Sequence, residues 1–201
     1  MSSSRPPFPV RQVTDPRELR ALAHPIRMAL LELLTAGPLT ASQCADELGE
    51  SPASCSYHLR QLARYGHVHP AGGGKGRERP WRLRDTAITW DEDDPNPARA
   101  SAGRLLAEVV DEQRFDSWRR FRSRRSLEPP EWRQAVLSTD MSTWLTADEL
   151  SELTQRLYEL WQPYNERQGS EADRPPGARP VRFFAYAYPG DTVDVEPEHC
   201  D

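Results

Sequence analysis

Between Ser51 and Gly66 the chain carries hydroxyl, amide and guanidinium side chains at a spacing that gathers them on one helical face. Wound at about 100° per residue, Ala53, Tyr57, Arg60, Gln61 and Arg64 fall on one side, flanked by Ser54 and Ser56. Cys55, Leu59 and Leu62 fall within about 60° of one another on the other side and read as an apolar anchor. Hydroxyls and amides exchange hydrogen bonds with base edges in a major groove, and guanidinium groups grip guanine edges or phosphates. The face therefore suits double-stranded DNA. Ser54, Ser56 and Tyr57, near the helix start, would enter the groove. Arg60 would take a base or a phosphate, Gln61 either, and Arg64 a phosphate. Further on, AGGGKGRER (71–79) presents Lys75, Arg77 and Arg79 at a glycine-rich tip, suited to the backbone or the minor groove.

Such groups work only if short helices and a hairpin hold them. Asp15-Pro16 predicts a helix to about Ala23, since Asp caps well and Pro fits the first helical position. Pro25–Ala36 puts Ile26, Leu30, Leu33 and Leu34 on one side and stops at Gly37-Pro38. Thr40 caps a third helix with an apolar stripe of Cys44, Ala45 and Leu48, ending at Gly49. Ser51-Pro52 opens the fourth, and Gly66 ends it. His67-Val68-His69 and Pro80–Arg84 then read as two strands around the glycine-rich tip. A helix-turn-helix followed by a basic hairpin is the expected arrangement.

The segments Leu22-Ala23-His24-Pro25-Ile26-Arg27, Leu48-Gly49 and Ser56-x-His58-Leu59-x-x-Leu62, followed by Gly66, resemble the ArsR-type winged helix-turn-helix repressors. The likeness covers roughly residues 15–84. It implies a cytoplasmic, DNA-binding transcriptional regulator, a repressor working as a homodimer on operator DNA. It also makes His58 a DNA-side contact, whereas the helical wheel sets His58 near the core stripe; both readings stand at this point. Sensors of this family carry a cysteine-rich third helix. Here Cys44 stands alone, and Cys44 and Cys55 fall where the stripes demand apolar side chains, so core packing is expected of both. His67 and His69 lack partner ligands, and His199-Cys200-Asp201 reads as a frayed end. No metal, no cofactor and no catalytic residue is expected, for the chain has no Walker loop, dinucleotide fingerprint, nucleophile elbow or HExxH. The same family fold used as a protein-interaction module, or as a metal- or thiol-responsive sensor, is the alternative.

Bulk properties agree with that division. The net charge of −5 over 201 residues hides an asymmetry. Residues 1–84 hold 12 basic against 7 acidic side chains, residues 85–201 hold 14 against 24. A positive front on an acidic body remains compatible with phosphate binding, which is local. Mean hydropathy is −0.78, no apolar run reaches the length of a membrane span, and MSSSRPPFPVRQ lacks the apolar core of a signal peptide. Three cysteines without framework spacing fit a reducing compartment.

The expected fold is mainly α with small β elements. Its parts are a flexible tail (1–13), the winged helix-turn-helix (14–90), a long helix (98–126), an α+β unit (131–190) and a flexible end (191–201). DEDDPNPA (91–98) reads as an acidic linker. Ala102, Leu105, Leu106, Val109, Val110, Trp118 and Phe121 recur at near-helical spacing; that helix would pair between chains, as the resemblance implies, or pack within one. Its arginines 119, 120, 122, 124 and 125 would extend the DNA footprint or form a solvated face. Residues 132–137, 141–145 and 181–188 read as strands. Thr146–Glu149 reads as the capping box of a helix to about Gln168, with Leu150, Leu153, Leu157, Leu160 and Trp161 on its apolar face. The aromatic residues of this unit would line a pocket for a small-molecule effector or make plain core.

Overall fold

The computed structural model describes residues 10–73, 79–84, 87–168 and 173–190. A short strand, β1 (Val10–Gln12), opens it. Each of the next four helices starts where a capping side chain meets an apolar run. Asp15 accepts from the Arg17 amide at 2.8 Å and opens α1 (Pro16–Leu22). His24 accepts from the Ile26 amide through Nδ1 at 3.2 Å and opens α2 (Pro25–Leu34). At α3 (Ala41–Leu48) Thr40 and Gln43 cap one another's backbone amides reciprocally. Gly49 ends α3 with φ 67, a left-handed conformation that is unstrained only without a Cβ. Ser51 then caps α4 (Pro52–Arg64) by accepting from the Ser54 amide at 3.1 Å. Each cap contributes about 1 kcal/mol, which fixes where a short helix begins.

After α4 the chain reverses into β2 (Val68–Pro70) and β3 (Trp81–Leu83), antiparallel, with Val68 opposite Leu83 and Pro70 opposite Trp81. Leu39 adds a bridge to Trp81 through two backbone hydrogen bonds of 2.8 and 3.1 Å. The third strand of this region, β4 (Ala87–Thr89), pairs in parallel with β1, Val10 opposite Ala87 and Gln12 opposite Thr89. The Val13 amide continues that ladder to the Thr89 carbonyl at 2.8 Å, and the Val13 side chain is buried. The expected tail of residues 1–13 therefore needs correction at its end. Residues 10–13 are structural because Val13 enters the core, while residues 1–9 lie outside the described residues.

Asn96 caps α5 (Pro97–Arg124) through the Ala98 and Arg99 amides. The first half of α5 belongs to the front module: Ala102, Leu106 and Val110 share one core with Leu19, Leu30, Cys44, Leu59 and Leu62. The acidic stretch before it is folded, with the Asp93 amide on Asp91 at 2.9 Å and the Asn96 amide on Asp94 at 2.8 Å. It is a tight corner more than a linker, because Gly103 brings α5 down onto the Trp90-Asp91 backbone. A Cβ there would stand 2.7 Å from the Asp91 carbonyl oxygen.

Beyond Val110 no described residue is buried. A 3-10 turn (Arg125–Leu127), α6 (Pro130–Ala135) and α7 (Ala147–Asn165) follow, with a further 3-10 turn over Glu166–Gln168. The expected α+β unit over 131–190 is thus corrected. Residues 130–135 are helical because Pro130 sits at the first helical position and Glu131 in the first turn. Residues 141–145 are irregular. Residues 181–188 have no regular secondary structure and no ladder partner among the described residues, and a run of apolar residues cannot make a strand without one. The expected end segment, 191–201, lies outside the described residues.

Candidate nucleic-acid interface

The geometry of α4 decides what the front module can touch. Cys55, Leu59 and Leu62 are sealed inside, between 0 and 1% exposed. Opposite them Tyr57 is 52% exposed, and Arg60 and Arg64 are exposed. Ser54, Ser56 and Gln61 are half-buried at the flanks. Arg60 folds back, its Nε donating to the Ser56 carbonyl at 3.2 Å, which leaves the two terminal nitrogens of the guanidinium facing outward. Arg64 lies over the Tyr65 ring, 6.0 Å from its centroid. Six of the seven predicted α4 residues thus stand on one accessible surface with hydroxyl, amide and guanidinium chemistry.

His58 does not. It is 8% exposed, its ring 4.4 Å from that of His24 and edge-on to Tyr57 at 5.1 Å. Of the two readings the sequence left open, the DNA-side contact is corrected: the His24 ring, fixed by its capping bond to α2, holds His58 inward. Burial lowers the His58 pKa, and the charges of His24 and Arg27 lower it further against a smaller pull from Glu50. His24 is lowered likewise, by burial and then by Arg27. Both rings are therefore neutral near pH 7 and can lie against each other. His58 acts from beneath, as the surface on which Tyr57 rests.

Arg27 was not singled out from the sequence as a site residue. Its guanidinium is half-buried, with Nε unpaired, and burial lowers its pKa while Tyr57 and Tyr65 push it back up. The signal for it was a cation in the apolar run of α2, just after His24-Pro25. Arg82 is a second basic residue beyond the expected set. It is exposed on β3 opposite His69, and with Arg79 and Arg84 it makes the described part of the hairpin basic. Arg79 is exposed; Lys75 and Arg77 lie outside the described residues.

The hairpin is tied to the helices from below. His67, buried just before β2, points Nε2 at Glu18 Oε1 of α1 at 3.0 Å, and Arg11 of β1 donates to the same oxygen at 2.6 Å. This inward role removes His67 from the ligand pair that the sequence suggested with His69. Cys44 and Cys55 are fully buried, and burial, with each thiol near the other, pushes the Cys44 pKa up to about 11. Such thiols stay protonated and act as apolar filling. Among the described residues no group of three or more His, Cys, Asp or Glu side chains is placed to hold a metal ion.

Residues 22–68, running from the end of α1 through α4 to the first residue of β2, match a family model described as a helix-turn-helix domain. This part of the chain is a helix-turn-helix. Its two characteristic helices are α3 and α4, joined by the tight turn at Gly49. Over 62 residues the chain is 37% identical to a Streptomyces lividans protein named "Probable mercury resistance operon repressor". That stretch covers 31% of this chain and 50% of the relative, so the chain spans about half the length of the curated protein it matches. No helix among the described residues is long and apolar enough to cross a membrane.

Proposed function

We propose that the chain is a DNA-binding transcriptional regulator of the ArsR type, a cytoplasmic repressor that reads an operator as a homodimer. One observation carries this reading: the polar face of α4 stands open beside a basic hairpin, while Cys55, Leu59 and Leu62 lock the helix from behind. In this reading α4 lies in the major groove. Ser54, Ser56, Tyr57 and Gln61 meet base edges, Arg60 a base or phosphate, and Arg64 a phosphate. The hairpin is the wing, and its Lys75, Arg77 and Arg79, joined by Arg82, follow the backbone or the minor groove. The repressor named among its relatives supports the direction of regulation. Sensing through Cys44 or Cys55 is not part of this proposal, since both thiols are sealed and Cys44 holds its proton to about pH 11. An effector, if one acts, does so elsewhere, by shifting the balance between states that hold two α4 helices at different spacings.

The test is binding to the DNA upstream of the gene, titrated against salt. Each lost phosphate contact lowers the slope of log K on log salt by about 1. Arg60→Ala and Lys75→Ala should each weaken binding at least several-fold at low salt. Unchanged affinity in both variants refutes the assignment. Affinity insensitive to salt would favour a protein-interaction module instead.

A further inference from the structure

Arg27 is a cation placed where three ordinary rules argue against one. It stands third in α2, inside the first turn, where the helix dipole favours negative charge. Its side chain is half-buried, with Nε sealed from water and unbonded. Among the described residues its guanidinium has neither a hydrogen bond nor an ion pair. Two other half-buried arginines have found a carboxylate: Arg11 meets Glu18 at 2.6 Å and Arg114 meets Asp111 at 3.0 Å. Buried polar atoms without partners are few in folded proteins, and each asks for a reason.

The surroundings indicate what would satisfy this one. Glu50 acts on the His24 and His58 rings, whereas the groups that act on Arg27 are the phenols of Tyr57 and Tyr65. Both belong to α4: Tyr57 lies on its exposed face and Tyr65 caps its C-terminal end. His58, edge-on to Tyr57, has Nδ1 sealed and unbonded, and its ring lies 4.4 Å from that of His24, three residues before Arg27. Neutral rings thus join the start of α2 to α4, and the uncompensated charge stands next to Tyr57. The two terminal nitrogens of Arg27 remain open to solvent. A guanidinium fork of this kind matches two oxygens of a phosphate.

We infer that Arg27 grips a backbone phosphate of the DNA beside Tyr57, reaching it from α2 while α4 occupies the groove. The contact presupposes the DNA-binding reading and adds to it an anchor outside α4 and the hairpin. A bound phosphate supplies negative charge to the first turn of α2 and acceptors to the open fork. Phosphates carry no base identity, so Arg27 fixes where α4 sits on the duplex and not which bases it prefers.

Arg27→Met keeps the apolar stem and removes the charge. A structural arginine would take its partners' bonds with it; this one has none, so Tm should be unchanged or higher. In DNA binding titrated against salt, the variant should lose about one unit of the slope of log K on log salt. A loss of about ten-fold in affinity at about 50 mM salt should shrink three- to four-fold by about 200 mM. The loss should be the same on the upstream DNA and on unrelated DNA. Arg27→Lys, which keeps the charge, should recover most of the slope. Arg156→Met on α7, an equal change of net charge, should leave it at the wild-type value. In ethylation interference, one modified phosphate that weakens the wild type should be without effect on Arg27→Met. A wild-type slope in Arg27→Met overturns the inference and leaves the DNA-binding reading intact. A fall in Tm of several degrees, or failure of Arg27→Met to fold, makes the arginine structural and overturns it too. Inorganic phosphate that raises the Tm of the wild type but not of Arg27→Met, with the DNA slope untouched, would give the site to a small phosphate ligand instead. A wild-type chain that binds no DNA at low salt removes the reading and this anchor together.

Discussion

Glu32 of α2 offers a measurable joint between the front module and the rest. Its carboxylate accepts from Ser117 Oγ at 2.7 Å and from Gln113 Nε2, both on α5. It also pairs with Arg120 of α5 at 3.5 Å and with Arg182 near the C-terminal end of the described chain. Glu32→Gln keeps the shape and one acceptor oxygen but removes the charge. A hydrogen bond to a charged group contributes about 1.5–3 kcal/mol when buried. The Arg120 and Arg182 side chains are 59% and 41% exposed, so screening brings each ion pair to about 0.5 kcal/mol. With the weakened bonds to Ser117 and Gln113, the loss should be about 1–2 kcal/mol. In a chain of this size that lowers Tm by roughly 2–4 °C per kcal/mol. Chemical denaturation of Glu32→Gln, Arg182→Met and the double variant isolates the pair, with an expected coupling of about 0.5 kcal/mol or slightly more. Burial alone would raise the Glu32 pKa, but hydrogen bonds from Arg182, Ser117 and Gln113 outweigh it and hold the carboxyl below the ordinary 4.5. The folded protein thus takes up this proton less readily than the unfolded chain. The contribution is complete above pH 4.5 and is lost as pH falls through the lower folded value. The gap between wild type and Glu32→Gln should therefore narrow below pH 4.5. A coupling indistinguishable from zero, with a gap that ignores pH, would refute the account of Glu32 as a joint.

Gly103→Ala should lower Tm by several degrees, because the new methyl meets the Asp91 carbonyl oxygen at 2.7 Å and the Trp90 ring at 3.3 Å; the overpacking cost of about 1–3 kcal/mol exceeds the helix-propensity gain. With His24 and His58 held below 6.5 by burial and by Arg27, the unfolded chain binds their protons first, so thermal stability should fall as pH drops through 6.5. His58→Phe should flatten that slope, and an unaltered slope would count against a neutral ring pair. Maleimide labelling read by mass spectrometry should leave Cys44 and Cys55 unmodified in the native protein at pH 8 and modify both in urea. Brief trypsin treatment should cut between Arg119 and Arg133 well before Arg17, Arg20, Arg27, Arg60 or Arg64 of α1, α2 and α4, since the core ends at Val110.

The four front helices were legible because their boundaries are local chemistry. Asp15-Pro16, Thr40 with Gln43, Gly49 and Ser51-Pro52 each settle a helix end within three residues of themselves. The inward face of α4 followed from the spacing of Cys55, Leu59 and Leu62. What escaped notice depends on residues far apart in the chain. The pairing of Val10 with Ala87 and the meeting of His67 with Glu18 leave no local mark. His58 sits near the boundary of the wheel, and only the His24 ring decides its side. In the C-terminal half, 181–188 read as a strand; Phe183 does reach Trp161 while Phe184 and Tyr186 reach Phe115, but among the described residues no neighbouring backbone completes a sheet.

The parallel pairing of β1 with β4 has a topological consequence. The chain enters the front module and leaves it along one hydrogen-bonded seam, just before α5 closes over the top. Everything between is a loop whose two ends are already fastened together, so tension on the flanks is borne at that seam and at the packing of α5 on the core. The exposed face of α4 is held by this closure and by the first half of α5, so what lies beyond Val110 can be exchanged, lengthened or shed in evolution without turning Tyr57 and Arg60.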